Sequence, residues 1–280
     1  MKEQNEEWKI RRILVALDTS RHSLAALEAA AELAASLEAE LQGIFVEDVN
    51  LLRVAGSPVA QEVRYPFVTA ARMDRTRMER QLRAQATQAR KALRTVCERR
   101  QIKWSFRVVR GEVAPEVLEA ALEADLLSLG KASRPLVRRE RLGSTARAAA
   151  AQAPSLVLLL RRDAGIEPPV AVTYDGSPTA RRALRIAVHL GREKGGYLAV
   201  LNLAGTPDEE ERLQAATADW LRHQGLLIRY RRLMGASVTT LTREIQSERS
   251  GVLVLSSTIL SPEALPALLD EMDCPVLLVR

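Results

Sequence analysis

One pattern occurs twice along this chain. Residues 13 to 20, ILVALDTS, have a counterpart at 170 to 177, VAVTYDGS: an apolar run, then Asp, one residue, and Ser. Asp18 therefore pairs with Asp175, and Ser20 with Ser177. The same spacing continues downstream, where Ala26, Leu27, Ala30 and Leu33 meet Ala183, Leu184, Ala187 and Leu190. Further on, DLLSLGK at 125–131 matches GVLVLSS at 251–257, and APSLVLLL at 153–160 matches CPVLLVR at 274–280. A repeat of this length means that one structural unit is built twice, so each motif must be read within its own copy.

Each copy alternates strand and helix, beginning and ending on a strand. The strands, such as LQGIFV, WSFRVV and LVLLL, are short and continuously apolar rather than alternating. That is the signature of a parallel sheet covered by helices on both faces. The expected fold is α/β, with two doubly wound five-stranded parallel sheets. The joint falls near RRDAGIEPP, residues 161 to 169, where Gly and paired prolines interrupt both helix and strand. This divides the chain into domains at 1–163 and 164–280. A length of 280 residues, 47% of them hydrophobic, agrees with two domains of ordinary size.

Several function classes recede at this stage. The first ten residues, MKEQNEEWKI, lack the apolar stretch of a signal peptide, and no apolar run reaches membrane-span length, so a cytoplasmic location without a membrane partner is expected. Cys97 and Cys274 are the only cysteines and lie far apart, which leaves neither a disulfide framework nor a metal-ligand spacing. His22, His189 and His223 have no neighbouring ligand or triad pattern, and no nucleophile-and-base signature marks an enzyme. The formal charge of +6 favours an anionic partner. At 4%, the aromatic residues are too few to form a stacking platform for single-stranded nucleic acid, which argues against that class of partner.

In a parallel sheet, ligands sit at the carboxyl ends of the strands, where the strand order reverses. Asp18 follows the first strand and offers a carboxylate to hydroxyl or base donors. Gly130 follows the fourth strand, where a missing side chain allows close backbone approach. Gly143, Ser144 and Thr145 open the last helix of the copy, with unpaired N–H groups and two hydroxyls suited to phosphate. The span between them carries Lys131, Arg134, Arg138, Arg139 and Arg141, with Arg147 one turn into the helix. On spacing alone an anion cradle and a set of ordinary turn and capping residues both stay open. The second copy differs: its segment from Ser256 to Pro275 is five residues shorter than Gly130 to Pro154 and contains no glycine.

These motifs, ALDTS, IFVED, EADLLSLG and the spacing of Gly130, Ser133, Gly143, Ser144 and Thr145, resemble the universal stress protein family in its tandem two-domain form. The resemblance covers nearly the whole chain. It implies the adenine nucleotide alpha hydrolase-like fold with strand order 3-2-1-4-5 in each copy. It also implies an adenine nucleotide, ATP or AMP accompanied by Mg²⁺, bound by the first domain only, in a stress-response regulatory protein. Carried over residue by residue, Ala16 and Asp18 line adenine and ribose, Val46 contacts the base through its backbone, and Leu129 and Gly130 border the ribose. Ser133, Gly143, Ser144 and Thr145 hold phosphates. The second domain is then a degenerate pairing partner in an intramolecular pseudo-dimer, and association through edge strands into a homodimer is a family habit. This sequence departs from the family pattern at Ser133, which stands where the second glycine of the loop is found. If that position needs a left-handed backbone, serine costs on the order of 1 to 2 kcal/mol. If it does not, the hydroxyl is a further donor.

Two other readings stay open beside this one: a slow ATP-hydrolysing enzyme using the same loop, and a nucleotide-free docking protein. A long insertion in the first copy, from Asp48 to about Arg100, bears on the second. It begins with turn residues, as expected of a lid or docking loop, and ends in a helix. Met73, Met78, Leu82, Ala86, Ala89, Leu93 and Val96 form the apolar stripe of that helix, and arginines fill the other positions. Its arginines suit either an anionic protein partner or a solvated face.

Overall fold

The computed structural model describes residues 10–57, 61–64, 69–72, 74–132, 141–161, 164–233, 235 and 237–280, with the backbone alone at 61–64 and 69–72. In the first half the elements run β1 (Arg12–Ala16), α1 (Arg21–Ser36), β2 (Glu40–Asp48), α2 (Val49–Ala55), β3 (Gln61–Arg64), β4 (Thr69–Arg72), α3 (Arg75–Arg100), β5 (Trp104–Gly111), α4 (Val113–Ala121), β6 (Leu126–Gly130), α5 (Ser144–Gln152) and β7 (Leu156–Leu160). The second half continues with β8 (Val170–Tyr174), α6 (Pro178–Lys194), β9 (Tyr197–Leu203), α7 (Pro207–Arg222), β10 (Leu227–Leu233), α8 (Val238–Ser247), β11 (Val252–Ser256), α9 (Ala264–Glu271) and β12 (Val276–Val279). No helix among the described residues is long and apolar enough to cross a membrane.

Each half has the expected order 3-2-1-4-5: β5-β2-β1-β6-β7 in the first and β10-β9-β8-β11-β12 in the second. Within a half every pairing is parallel. The halves do not form two separate sheets, however. Strands β7 and β12 pair antiparallel, Val157 opposite Leu278, Leu158 opposite Leu277 and Leu159 opposite Val276, and so merge all ten strands into one sheet. Both strands are buried along their whole length. An open apolar edge strand invites uncontrolled pairing, and mutual pairing removes both edges at once. Fully burying a Leu or Val side chain is worth about 1.5 to 3 kcal/mol, so three facing pairs make a strong seam. The strands left at the outer edges, β5 and β10, carry exposed Arg107, Arg110, Arg229, Arg231 and Arg232 instead, charges of the kind that blunt an edge.

The helices form two layers. One face of the sheet carries α1, α3 and α6 over a core of Val15, Phe45, Val172 and Val200; the other carries α4, α5, α8 and α9 over Leu14, Leu127, Leu201 and Leu253. The buried stripe of α1 is largely alanine, at Ala26, Ala29, Ala30, Ala31 and Ala34. Ser20 and Ser177 cap α1 and α6, accepting from the N–H groups of Ser23 and Ala180. The apolar stripe of the arginine-rich helix buries Leu82, Ala86, Ala89, Leu93 and Val96 as expected, while Met73 lies outside the described residues. Its place in the fold differs from the sequence expectation. Helix α3 connects β2 to β5 as α7 connects β9 to β10, so it belongs to the repeat, and among the described residues α2 and the β3–β4 pair are extra.

Candidate functional site

Strand β1 stops early, and the site begins there. Its last pairing with β2 is Ala16 opposite Ile44, followed by one more bond, from Leu17 N to Ile44 O at 2.9 Å. The chain then turns away through Asp18 into α1, while β2 runs on to Asp48. Along β2 the backbone groups alternate sides: Glu40 N reaches Arg11 O toward β1, and Leu41 N reaches Lys103 O toward β5. By that alternation the peptide groups of Val46 point toward the side that β1 has vacated. They form a donor and acceptor edge with no strand opposite. Glu47, buried next to it, pins this end of β2 to the outer strand through Arg110, whose Nε and Nη2 donate at 2.9 and 2.6 Å. That hydrogen bond, together with the charge of Glu47, raises the Arg110 pKa above its ordinary value.

The turn after β1 is tightly tied. Asp18 Oδ1 accepts from Ser20 N at 3.0 Å, Ser20 Oγ accepts from Ser23 N at 3.2 Å, and Ser23 Oγ donates to Ser20 O at 3.1 Å. This leaves the second oxygen of the exposed Asp18 carboxylate available. Thr19 holds φ at +64°, a left-handed conformation that costs a β-branched residue about 1 to 2 kcal/mol. On the other side of β1, β6 continues past its last pairing, Val15 with Ser128, to Leu129 and Gly130. A Cβ at Gly130 would stand 2.7 Å from His22 Cβ, 2.8 Å from His22 C and 2.9 Å from Ser23 N. The glycine is thus required by the first turn of α1, which crosses directly over it. The sequence reading gives this glycine a different reason, close approach of a ligand.

These strand ends enclose a cavity of about 670 Å³, within the range typical of small-molecule sites. Seven of the nine residues nominated from sequence line it: Ala16, Asp18, Val46, Leu129, Gly130, Ser144 and Thr145. Gly143 stands just behind as the N-cap of α5, with a φ of −63° that any residue adopts, and its N–H donates to Lys131 O at 2.8 Å. Ser133 lies outside the described residues, as do Arg134, Arg138 and Arg139. Polarity changes along the cavity. Asp18, Asp48 and Glu112 stand toward the β1, β2 and β5 ends, while the amino terminus of α5 presents Ser144 and Thr145 with their first-turn N–H groups. Leu17, Ile44, Phe45 and Leu82 supply apolar walls, with Gln85 of α3 beside them.

Two members of the basic cluster are turned elsewhere. Lys131 is only 4% exposed, and its Nζ donates to Asp270 O at 3.3 Å and Met272 O at 2.7 Å in the second half. Arg147 Nη2 stands 4.0 Å from Asp270 Oδ2. Neither lines the cavity. Residues that sequence reasoning missed include Leu82, whose helical spacing marked it as core, and Gln85, Asn50 and Glu112, which carried no local signal. No group of three or more side chains suited to hold a metal ion occurs among the described residues.

The corresponding place in the second half is built differently. By strand register, Thr173, Leu201, Leu255 and Ser256 stand where Ala16, Ile44, Leu129 and Gly130 stand in the first. Ser256 N donates to Thr173 Oγ1 at 3.3 Å, and the short segment after β11 buries Ile259 and Leu260 in the cluster that contains Leu201 and Leu255.

The sequence pattern of the universal stress protein family matches residues 9–161, more than half of the chain. The chain belongs to the universal stress protein family. Among solved structures, a universal stress protein from Archaeoglobus fulgidus is 15% identical, with 95% of this chain and 97% of that one covered at a TM-score of 0.72. A putative universal stress protein from Pseudomonas aeruginosa is also 15% identical, covering 96% of this chain and 92% of that one at a TM-score of 0.61. A shorter Archaeoglobus fulgidus universal stress protein, solved in complex with dAMP, is 20% identical over 41% of this chain and 99% of its own, at a TM-score of 0.34. No curated protein sequence matches the chain. At these identities the first two structures establish the α/β fold over 95% and 96% of the chain.

Proposed function

We propose that this protein binds an adenine nucleotide, ATP or AMP, in the cavity of its first half, and acts as a cytoplasmic stress-response regulator rather than as a catalyst. The observation that carries this reading is the gradient along the cavity. Carboxylate and strand-end peptide groups at one end suit ribose hydroxyls and the donor and acceptor edge of a base. The amino terminus of α5 with Ser144 and Thr145 suits phosphate at the other. Apolar walls between them suit the faces of a purine. Asp18 takes the ribose, the Val46 backbone meets the base, and Ala16, Leu129 and Gly130 border the nucleoside. Gly143, Ser144 and Thr145, with Ser133 from the loop, receive the phosphates, and Mg²⁺ accompanies ATP as a counter-ion. Residues 164–280 form a second domain that has given up its own site and serves as the pairing partner of residues 1–163, an intramolecular pseudo-dimer that can associate further into a homodimer.

Release of tightly held ligand from the purified protein, identified by mass spectrometry, tests the reading together with thermal unfolding in ATP and Mg²⁺. A ligand present at 100 times its Kd stabilises the folded state by about 2.7 kcal/mol, which raises Tm by roughly 5 to 10 °C for a domain near 150 residues. Folded protein that shows neither bound nucleotide nor a shift with ATP or AMP sinks the proposal and favours a nucleotide-free docking role. Release of ADP at a steady rate would move it to the enzyme reading.

A further inference from the structure

The helix that presents Ser144 and Thr145 to the cavity is held at both ends by the other half of the molecule. At its amino end, Asp270 near the end of α9 accepts from Leu142 N through Oδ1 at 2.6 Å and faces Arg147 through Oδ2. The main chain of the same residue, with that of Met272, accepts from Lys131 Nζ, so a cation sits on the carbonyl end of α9. Gly143 N donates to Lys131 O, which ties the two ends of the intervening loop together. At the carboxyl end of α5, Arg280 Nη2 donates to the main-chain oxygens of Ala149 and Ala150, while Arg182 Nη1 donates to Arg280 O at 2.8 Å. The guanidinium thereby covers the Ala150 carbonyl and shares that of Ala149 with the capping N–H of Ala153.

We propose that Asp270, from the half with no proposed site of its own, is a positioning residue for the phosphate end of the first-half site. The inference rests on the nucleotide reading above. Asp270 does not line the cavity, so it acts through Leu142 and α5. Leu142 is 5% exposed, so its N–H has little access to water and depends on this carboxylate. Without it the entry to α5 loses its anchor, and the ligand must order the first turn at the moment of binding. Such ordering is drawn from the free energy of binding. Only the phosphates meet this turn. The adenosine end rests on β1, β2 and β6, none of which touches Asp270 through a described hydrogen bond.

Titration calorimetry on the full chain with ATP and with adenosine tests this. Asp270→Ala is expected to weaken ATP about three- to tenfold and to leave adenosine unchanged. Asp270→Asn, whose amide oxygen still accepts from Leu142, is expected to restore most of the loss. An unchanged ratio of ATP to adenosine affinity in Asp270→Ala overturns the proposal. Tighter ATP binding also overturns it, by making the carboxylate a competitor of phosphate. If the alanine variant does not fold, hydrogen exchange on the wild type decides: the Leu142 amide is expected to be as protected as the core of α9, and exchange at the rate of an open loop overturns the inference. Wild-type protein that binds neither ligand refutes the nucleotide reading itself and takes this inference with it.

Discussion

At the end of its first strand each half makes the same turn with different residues. In the first half Asp18 Oδ1 accepts from Ser20 N around Thr19, whose φ is +64°; in the second, Asp175 Oδ1 accepts from Ser177 N around Gly176, whose φ is +79°. Gly176 adopts this conformation without strain, whereas Thr19 does not. The strained residue, Thr19, lines the cavity of the first half. Backbone strain of this kind persists where the surrounding structure over-determines it, which is common at ligand sites. The fourth strand repeats the contrast. Gly130 is pressed against the α1 backbone, whereas Ser256 at the same register carries a side chain in a buried position. One fold thus holds two strand ends, one beside a cavity lined by polar groups, the other followed by a segment that buries Ile259 and Leu260.

Paired variants sharpen or break this contrast. The largest effect is expected from the aspartates. Asp18→Ala and Asp175→Ala each remove one matched turn hydrogen bond, so their difference isolates the ligand. Most of the ATP-induced stabilisation, about 2.7 kcal/mol at 100 times Kd, should be lost in Asp18→Ala and retained in Asp175→Ala. Equal losses would mean that the halves do not differ in binding. Next comes Gly130→Ala, which forces a Cβ against main-chain atoms of α1 and should cost about 1 to 3 kcal/mol in urea unfolding. Ser256→Ala, which keeps its Cβ and loses one hydroxyl contact, should cost about 1 kcal/mol or less.

A smaller effect is expected at the turns. Gly176→Thr should destabilise by about 1 to 2 kcal/mol, while Thr19→Gly should be neutral to mildly stabilising, because relief of strain outweighs the added freedom of the unfolded chain. Destabilisation in both would show that Thr19 contributes contacts that exceed its strain. The smallest contrast concerns the thiols. Burial raises Cys97, and likewise Cys274, from the ordinary 9.0 to about 11. The folded state therefore holds these protons more tightly than the unfolded chain, and stability should fall as pH rises from about 9 to about 11. Thiol-reactive dyes at pH 8 should label the partly exposed Cys274 slowly and the buried Cys97 more slowly still. Rapid labelling of Cys97 would mean that α3 opens in the native state.

Most of the candidate site was legible before any coordinates, because its markers lie at strand ends and strand ends can be read locally. Asp18 and Gly130 close short apolar runs, Val46 ends another, and Ser144–Thr145 open a helix just after a glycine; parallel topology brings such positions to one edge of the sheet. Leu82 and Gln85 were not legible as lining residues. Their contribution depends on how far α3 leans over the end of β2, which its apolar stripe does not encode. Lys131 shows a related limit: its spacing suits an anion cradle, and only the fold shows the carbonyl end of α9, more than 100 residues away in the chain, receiving its ammonium.

By itself the sequence determined the repeat, the alternation of strand and helix, the order of the halves and the residues at the strand ends, since periodicity and turn chemistry act over a few residues. The tertiary structure alone decided what covers the fifth strand of each half. An apolar run such as LVLLL states that a strand is buried but carries no information about its neighbour. The antiparallel pairing of β7 with β12 joined two sheets into one and brought α9 against α5. Through that seam Asp270 and Arg280 reached the two ends of a helix in the other half. Contacts of this kind depend on which surfaces meet once both halves have folded, and no spacing along the chain records them.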